Sequence, residues 1–196
     1  MSEPNRRIFT DREEYTLLLR SGRDSDIPTL RHWDMEPAVI ASTTDDPDIS
    51  VAFGEENDWM ENLALHQDDP WEYWIAEIDG QPIGAIQLVD PQLEPTHDWG
   101  EIEPNLRALD IGIGEPDARG KGYGETMMVT AIAYCFVNPA VDAIIIDPLA
   151  PSKRAHKFPQ RLGFTPTHRQ TFNNGEDDCL VHRLTRADWL AHNQGD

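Results

Sequence analysis

The sequence predicts a mixed α/β fold, in which several strands form one sheet and helices pack on it. Two runs rich in aromatic and β-branched residues, 71–78 and 82–89, flank Asp79-Gly80, which is a strong hairpin signal. A further strand over 106–113 leads through a glycine-rich turn into an apolar helix over 122–137. A hairpin followed by strand–turn–helix order is typical of a mixed sheet covered by helices.

The remaining elements are predicted from apolar periodicity, turn residues and helix caps. They are, in order, a strand over 15–19, a helix beginning at 24–26, a helix over 57–66, a loop over 91–104, a strand over 141–147, a helix over 152–162, and strands that begin at 163 and cover 179–184. We expect residues 1–14 to be a flexible N-terminal segment, residues 15–190 a single domain, and residues 191–196 a C-terminal tail.

The chain is strongly acidic, with 36 Asp and Glu residues against 16 Lys and Arg residues and a formal net charge of −20. Such a surface repels phosphate backbones and anionic lipids, so neither a nucleic-acid partner nor a membrane partner is expected. An acidic cleft would instead attract and concentrate a small cationic substrate. A surface charge that serves only solubility would explain the same composition.

Cysteine, histidine and apolar patterns bear on the compartment and on metals. Cys135 lies in an apolar helix pattern and Cys179 is the only other cysteine, so we expect no disulfide framework and a cytoplasmic location. The longest apolar-rich segment, 127–137, is too short to span a bilayer, and the polar first residues do not resemble a signal peptide. The seven histidines are scattered without metal-ligand spacing, so no metal site is expected.

The strongest chemical signal is a glycine-rich loop, Arg119-x-x-Gly122-x-Gly124, between a strand and a helix. Glycines let a bulky anion approach the backbone, and the free N–H groups at the start of a helix can bind a pyrophosphate. The loop lacks the Gly-Lys-Ser/Thr ending of a Walker A motif, and it does not follow the first strand of a βαβ unit as a Rossmann fingerprint does. An ordinary tight turn is the alternative.

These residues resemble the GNAT superfamily of N-acetyltransferases. The resemblance rests on the strand, the loop Arg119-Gly120-Lys121-Gly122-Tyr123-Gly124, the helix after it, and the later helix that ends in Arg161-Leu162-Gly163-Phe164. Within that superfamily, aminoglycoside 6'-N-acetyltransferases are similar at Leu106-Arg107-Ala108-Leu109-Asp110, Ile146-Asp147-Pro148 and Gly175-Glu176-Asp177-Asp178-Cys179. The similarity covers roughly residues 30–189, and siderophore-biosynthetic acetyltransferases share parts of it.

The resemblance implies a mixed sheet that is splayed in the middle and flanked by helices, with acetyl-CoA in the splay. It implies direct transfer of the acetyl group to an amine, without a covalent enzyme intermediate. The cofactor-binding residues that it implies are Ile111, Gly112, Ile113, Arg119, Gly120, Lys121, Gly122, Tyr123, Gly124, Ser152 and Ala155.

An acceptor ammonium has a pKa near 10 and must lose a proton before it can attack a thioester. The resemblance implies Asp110 as the base and Asp147 as a substrate-binding acid. Asp98, Trp99 and Glu101, together with Glu176 and Asp177, are further candidates for acidic and aromatic walls of the acceptor pocket. The alternatives are a surface carboxylate for Asp110, a helix cap for Asp147, a packed aromatic for Trp99 and a solvated hairpin tip for the last two.

The chain departs from the superfamily pattern on the later helix. Ser152 and Pro159 stand where an Asn and a Tyr are usual, and that Tyr is proposed to protonate the leaving thiolate. We therefore predict an N-acetyltransferase for a cationic amine, favouring an aminoglycoside 6'-amine, in a monomer or a homodimer. The alternatives are a siderophore precursor, a polyamine or another small amine as acceptor, and a non-catalytic acyl-CoA-binding protein.

Overall fold

The computed structural model describes residues 9–10, 13–14, 16–44, 63, 70–95, 97–172 and 177–193. The strands are β1 Phe9–Thr10, β2 Glu13–Glu14, β3 Leu17–Ser21, β4 Trp71–Ile78, β5 Gln81–Val89, β6 Leu106–Gly112, β7 Ala143–Ile146, β8 Thr165–Phe172 and β9 Asp177–Thr185. The α-helices are α1 Ile27–Asp34, α2 Pro37–Thr43, α3 Tyr123–Cys135, α4 Lys153–Arg161 and α5 Arg186–Asn193. None of these helices is long and apolar enough to cross a membrane.

Seven strands form one mixed sheet in the order β3-β4-β5-β6-β7-β9-β8, which confirms the predicted fold class. Every neighbouring pair is antiparallel except β6 and β7, which are parallel. The predicted hairpin joins β4 to β5, and both turn residues, Asp79 and Gly80, have positive φ values of 51° and 81°. That conformation is the one that an Asp-Gly turn favours.

The parallel pair separates soon after it forms. Its register covers only three pairs, from Leu106 with Ala143 to Ala108 with Ile145. Strand β6 continues to Gly112 against β5, whereas β7 ends at Ile146, shortly before Pro148. Beyond Ala108, the edge of β6 that faces β7 therefore has no strand partner among the described residues, and we call this opening the β6/β7 gap.

The two faces of the sheet bury different sets of side chains, because successive residues of a strand point to opposite faces. Helix α3 covers one face, where Met127 and Ile132 are fully buried against Leu109 and Ile144. Burial of each such side chain contributes about 1.5–3 kcal/mol. Helix α1 covers part of the other face, with Leu30 and Trp33 packed against strand β4. Residues Asp110 and Asp147 continue the strand positions of this second face.

Two helices, α2 and α5, were not predicted from the sequence. Helix α2 has only seven residues, none of them buried, so its sequence is too short to show a helical apolar period. Pro37 is nevertheless a usual first-turn signal. Helix α5 begins after Thr185, whose hydroxyl accepts from the backbone N–H of Asp188 at 3.1 Å and donates to its carboxylate at 2.6 Å. That arrangement resembles a capping box and was readable from the sequence. The predicted helix over 57–66 lies outside the described residues except for Leu63.

The predicted boundaries of the other elements shift by a few residues. The first strand of the large sheet is Leu17–Ser21 rather than 15–19, and the strand predicted from residue 163 begins at Thr165. Gly163 instead follows the end of α4 with a φ of 91°, a left-handed conformation that commonly terminates a helix.

Asp34 is a buried carboxyl group whose charge should cost stability. It lies at the end of α1, is 4 % exposed, and its Oδ2 atom has no hydrogen-bond partner. Desolvation raises its pKa from 3.8 to about 6. Because folding raises the pKa of Asp34, the protonated carboxyl group favours the folded state at low pH. This contribution to stability is lost as the pH rises through about 6. The difference between the two pKa values corresponds to about 3 kcal/mol.

Asp34→Asn should therefore stabilise the protein near neutral pH. We expect its melting temperature to exceed that of the wild type above pH 6, and the difference to shrink as the pH falls towards 4. Thermal unfolding followed by circular dichroism across this range measures the effect. Asp24→Asn, at an exposed position, is the matched control and should show no such trend. A pH-independent difference between Asp34→Asn and the wild type would contradict this account.

Candidate active site

The glycine-rich loop before α3 presents bare backbone to open space. Gly120 and Gly122 have φ values of 76° and 88°, and a Cβ atom built on either glycine would meet nothing within 4 Å. Gly122 is the N-cap of α3 and has no side chain with which to cap it. The first turn of this helix therefore combines unobstructed backbone with the positive end of the helix dipole, a suitable environment for a diphosphate.

Arg119 uses its guanidinium to hold the shape of this loop. Its Nε donates to the carbonyl of Ile113 at 3.0 Å, and its Nη2 donates to the carbonyl of Gly114 at 2.6 Å. Nη2 also lies 3.7 Å from a carboxylate oxygen of Glu36 at the start of α2. The Arg119 side chain is thus engaged by the protein, whereas Lys121 is exposed.

Ser152 and Ala155 meet at the N-terminus of α4. The Ser152 hydroxyl accepts from the backbone N–H of Ala155 at 3.4 Å and so caps the helix. Pro159 lies inside the same helix and is buried. Helix α4, which follows β7 along the chain, contains no tyrosine, and the Pro159 side chain has no acidic proton to donate.

Asp110 and Asp147 lie on either side of the β6/β7 gap. Asp110 is on β6, and its Oδ1 accepts from the backbone N–H of Ile111 at 2.7 Å. Water reaches Asp110, but the protein packed around it still desolvates the carboxyl group and raises its pKa. Asp147 directly follows β7, and its pKa is raised to about 7, first by desolvation and then by the negative charges of Asp110 and Asp98.

These three carboxyl groups, Asp98, Asp110 and Asp147, form what we call the acidic cluster. The charges of Asp98 and Asp110 both act on Asp147, so Asp147 lies near both, and these charges favour its protonated form. The structure thus brings together two of the predicted substrate-binding acids and the predicted base. A cation entering this region would relieve the repulsion.

Packing against β8 holds the loop that carries Asp98. The Asp98 carbonyl accepts from the Gln170 amide at 2.9 Å, and the ring of Trp99 meets Phe172 edge to face at a centroid distance of 5.9 Å. The indole N–H of Trp99 is buried without a partner among the described residues. Trp99 therefore packs the loop, while Asp98 and Glu101 are exposed.

The two candidates on the last hairpin have different outcomes. Glu176 lies outside the described residues. Asp177 is 4 % exposed, and its Oδ1 accepts from the Thr44 hydroxyl at 3.1 Å. Asp177 is therefore a buried link between the end of α2 and β9 rather than a solvated hairpin tip.

A polar row across three strands was not anticipated from the sequence. Tyr73 is paired with Gln87, and Gln87 is paired with Asp110, so the three side chains share one face of the sheet. Gln87 donates from Nε2 to the Tyr73 hydroxyl at 2.6 Å. Desolvation raises the pKa of Tyr73 to about 12, and the Asp110 charge adds to that effect. The signal was available, because Gln87 interrupts an otherwise apolar strand.

No group of three or more His, Cys, Asp and Glu side chains over the described residues is placed to hold a metal ion. The residues that can hold a cofactor are those of the glycine-rich loop and of the β6/β7 gap. The loop offers unobstructed backbone for an anion, and the gap is bordered by the carboxyl groups of Asp110 and Asp147.

Comparisons with known proteins bear on the fold and the family of the chain. Over 93 residues the chain is 30 % identical to the aminoglycoside N(6')-acetyltransferase type 1 of Klebsiella pneumoniae, a match that spans about half of either chain, 46 % of each. A crystal structure of the aminoglycoside acetyltransferase AAC(6')-Ib in complex with coenzyme A shares the fold, with a TM-score of 0.74, 20 % identity, and coverage of 90 % of this chain and 98 % of that one.

A second fold neighbour is the spermidine N-acetyltransferase from Vibrio cholerae in complex with coenzyme A and spermine, with a TM-score of 0.67 and 18 % identity. That match covers 89 % of this chain and 98 % of the other. The family model of the acetyltransferase (GNAT) domain matches residues 23–172, which is most of the sequence. The chain therefore belongs to the GNAT acetyltransferase family.

Proposed function

We propose that this protein transfers the acetyl group of acetyl-CoA to an amine of a small polycation, with an aminoglycoside 6'-amine as the favoured acceptor. The observation that carries the proposal is the acidic cluster, in which Asp110 and Asp147 border the β6/β7 gap. Bound acetyl-CoA supplies a thioester carbonyl that is open to attack by an amine. The glycine-rich loop fits its diphosphate, because open space lies against bare backbone at Gly120 and Gly122.

Asp110 is the proposed base in this reaction. Its Oδ1 is held by the Ile111 N–H, which fixes the carboxylate and leaves Oδ2 to receive a proton from the acceptor. Gln87, fixed by Tyr73, lies next to it on the same sheet face and presents a further polar group to the acceptor. A positioned base can then remove the proton that keeps an ammonium from attacking.

A polyamine is the second candidate acceptor, because a fold neighbour is a spermidine N-acetyltransferase and an acidic cluster attracts either kind of polycation. Coenzyme A release measured with kanamycin, ribostamycin, spermidine, spermine and an alkylhydroxylamine distinguishes the candidates by their kcat/KM values. The proposal expects the highest value with an aminoglycoside. A higher value with spermidine would transfer the assignment to polyamines. Binding of acetyl-CoA without turnover of any acceptor would indicate a non-catalytic protein.

Salt should weaken binding of the acceptor. Screening shortens the Debye length from about 10 Å at 0.1 M salt to about 3 Å at 1 M, so a polycation loses part of its attraction to the acidic cluster. We expect the apparent KM for the acceptor to rise across this range. Acetyl-CoA is an anion and should not follow that trend, which makes its own KM the internal control. An acceptor KM independent of salt would indicate recognition through neutral contacts.

A further inference from the structure

Acetyl transfer releases a thiolate, and the usual tyrosine that would protonate it is absent from α4. The position is taken by Pro159. A different proton donor is therefore needed near the β6/β7 gap, where the thioester of the proposed function must lie. Candidate donors among the described residues include the Tyr73 hydroxyl, but desolvation raises its pKa to about 12, well above that of a thiol, which disfavours proton transfer to the thiolate. The His156–His182 pair and the carboxyl groups of the acidic cluster are the other candidates.

The histidine pair is a poor proton donor because its protons are already committed. His156 can reach the carbonyl of Ala150 only as a donor from Nε2, at 3.1 Å, so its Nδ1 in the neutral ring must accept. His182 then donates from Nε2 to His156 Nδ1 at 3.1 Å. Desolvation, reinforced by His156, lowers the pKa of the fully buried His182, so the ring resists gaining a further proton.

His182 also lies on the other side of the sheet from the proposed acceptor. It is paired with Ile146 on β7, and Ile146 packs into the core under α3. Asp147 is the next residue along the chain and continues the opposite face. The acceptor side of the gap is thus bordered by Asp147 rather than by the histidines.

Acidic groups from two other parts of the fold act on Asp147. Asp110 on β6 and Asp98 on the loop before it both act on its charge. Asp177 lies on the flanking strand β9, where it is held by Thr44. Among the described residues, no lysine or arginine is one of the groups that shift the pKa of Asp147. The Asp110 charge raises the pKa of Asp147 across the β6/β7 gap, so ionisation of Asp110 favours the protonated form of Asp147.

We infer that Asp147 is the general acid that donates a proton to the leaving sulfur, opposite Asp110 as the base. The inference rests on the proposed function. The amine nitrogen forms a bond to the acetyl carbon, the carbon–sulfur bond breaks, and its electron pair leaves with sulfur. The nitrogen loses two protons on the way to the amide: one goes to Asp110 before attack, and the other goes to water once the carbon–nitrogen bond has formed. The Asp147 proton goes to sulfur, which yields the thiol. One proton passing from Asp110 to Asp147 restores the pair.

The two carboxyl groups have the properties that these roles require. A pKa of about 7 leaves much of Asp147 protonated at neutral pH, and a thiol pKa of about 8.5 makes proton transfer to the thiolate favourable. Pairs of carboxyl groups whose environments push them into different protonation states supply the acid and the base in other enzymes. Asp147 would then act on the leaving group as well as on the acceptor.

A leaving-group experiment separates this role from simple binding of the acceptor. Asp147→Asn should lower kcat with acetyl-CoA by about 10²-fold, the lower end for a general acid. An acetyl-CoA analogue with two fluorine atoms on the carbon next to that bearing sulfur has a more acidic thiol. Its thiolate can therefore leave without a proton donor. With this donor, Asp147→Asn should recover most of the wild-type kcat. Asp147→Glu keeps an acid and should retain more activity with acetyl-CoA than Asp147→Asn.

The controls separate the possible failures. Asp110→Asn should lower kcat by the same factor with both acetyl donors, because it affects deprotonation of the acceptor amine and not departure of the thiolate. Equal losses for Asp147→Asn with both donors, or a change confined to the KM of the acceptor, would overturn the assignment of the acid while leaving the proposed function intact. If the wild type transfers no acetyl group from either donor, the proposed function fails, and the inference fails with it.

Discussion

Asp110→Asn should lower kcat/KM for the amine acceptor by about 10²–10⁴-fold while the affinity for coenzyme A stays nearly unchanged. The substitution keeps the size of the side chain and removes its charge and its basicity. The acceptor loses the group that takes its proton, whereas the glycine-rich loop before α3 is untouched. Steady-state kinetics and calorimetric titration with coenzyme A measure the two effects separately.

The activities of the wild type and of Asp110→Asn should change differently with pH. Desolvation raises the pKa of Asp110, so the wild-type activity should fall as the pH drops towards that raised value and the base becomes protonated. The deficit of Asp110→Asn should shrink at high pH, where more of the acceptor is already a free amine. Asp142→Asn, at an exposed carboxylate that precedes β7, is the matched control. Wild-type turnover by Asp110→Asn at every pH would disprove the assignment.

Gly124→Val should weaken binding of coenzyme A by about 5- to 150-fold, the equivalent of about 1–3 kcal/mol for bulk forced into an occupied site. Gly124 is the second residue of α3, and a Cβ built on it meets only a side-chain atom of Ile113, at 3.9 Å. The free protein can therefore accept the branched side chain, whereas a diphosphate bound over the loop cannot.

Gly122 offers a less direct test of the same idea. Its φ of 88° would strain any branched residue even without a ligand. Gly124→Ala is the better companion variant, because a single methyl group should cost less affinity than valine. Thermal unfolding confirms that each variant folds, and calorimetry measures its affinity. A folded Gly124→Val with wild-type affinity for coenzyme A would place the cofactor elsewhere.

Local signals account for what the sequence predicted well. Asp79-Gly80 predicts its hairpin because few dipeptides adopt those turn angles. The helix at Tyr123 was identified because glycines stop abruptly where an apolar run begins. Asp110 was identified through the resemblance to aminoglycoside 6'-N-acetyltransferases, and its role stays a prediction. Each of these features is contained within a few neighbouring residues.

Long-range pairing accounts for what the sequence did not predict. Tyr73, Gln87 and Asp110 come from three strands, and only the register of the sheet places them side by side. The contact between Thr44 and Asp177 spans most of the chain. A sequence pattern contains no information on such register unless the partner strand is already known.

The orientation of some side chains cannot be predicted from a motif alone. The Arg119 guanidinium turns back onto the carbonyls of its own loop, and the Trp99 ring packs against Phe172. Both outcomes depend on which acceptors and which apolar surfaces come within reach after folding. Motifs specify a loop more reliably than they specify the direction of its side chains.

Mass spectrometry of the acceptor tests the central claim most directly. The purified protein is incubated with kanamycin and acetyl-CoA that carries an isotope label in the acetyl group. This account predicts one labelled acetyl group on an amine of kanamycin, formed together with one equivalent of free coenzyme A. Acetyl-CoA that binds but stays intact, while kanamycin or a polyamine incubated in its place remains unlabelled, would contradict it.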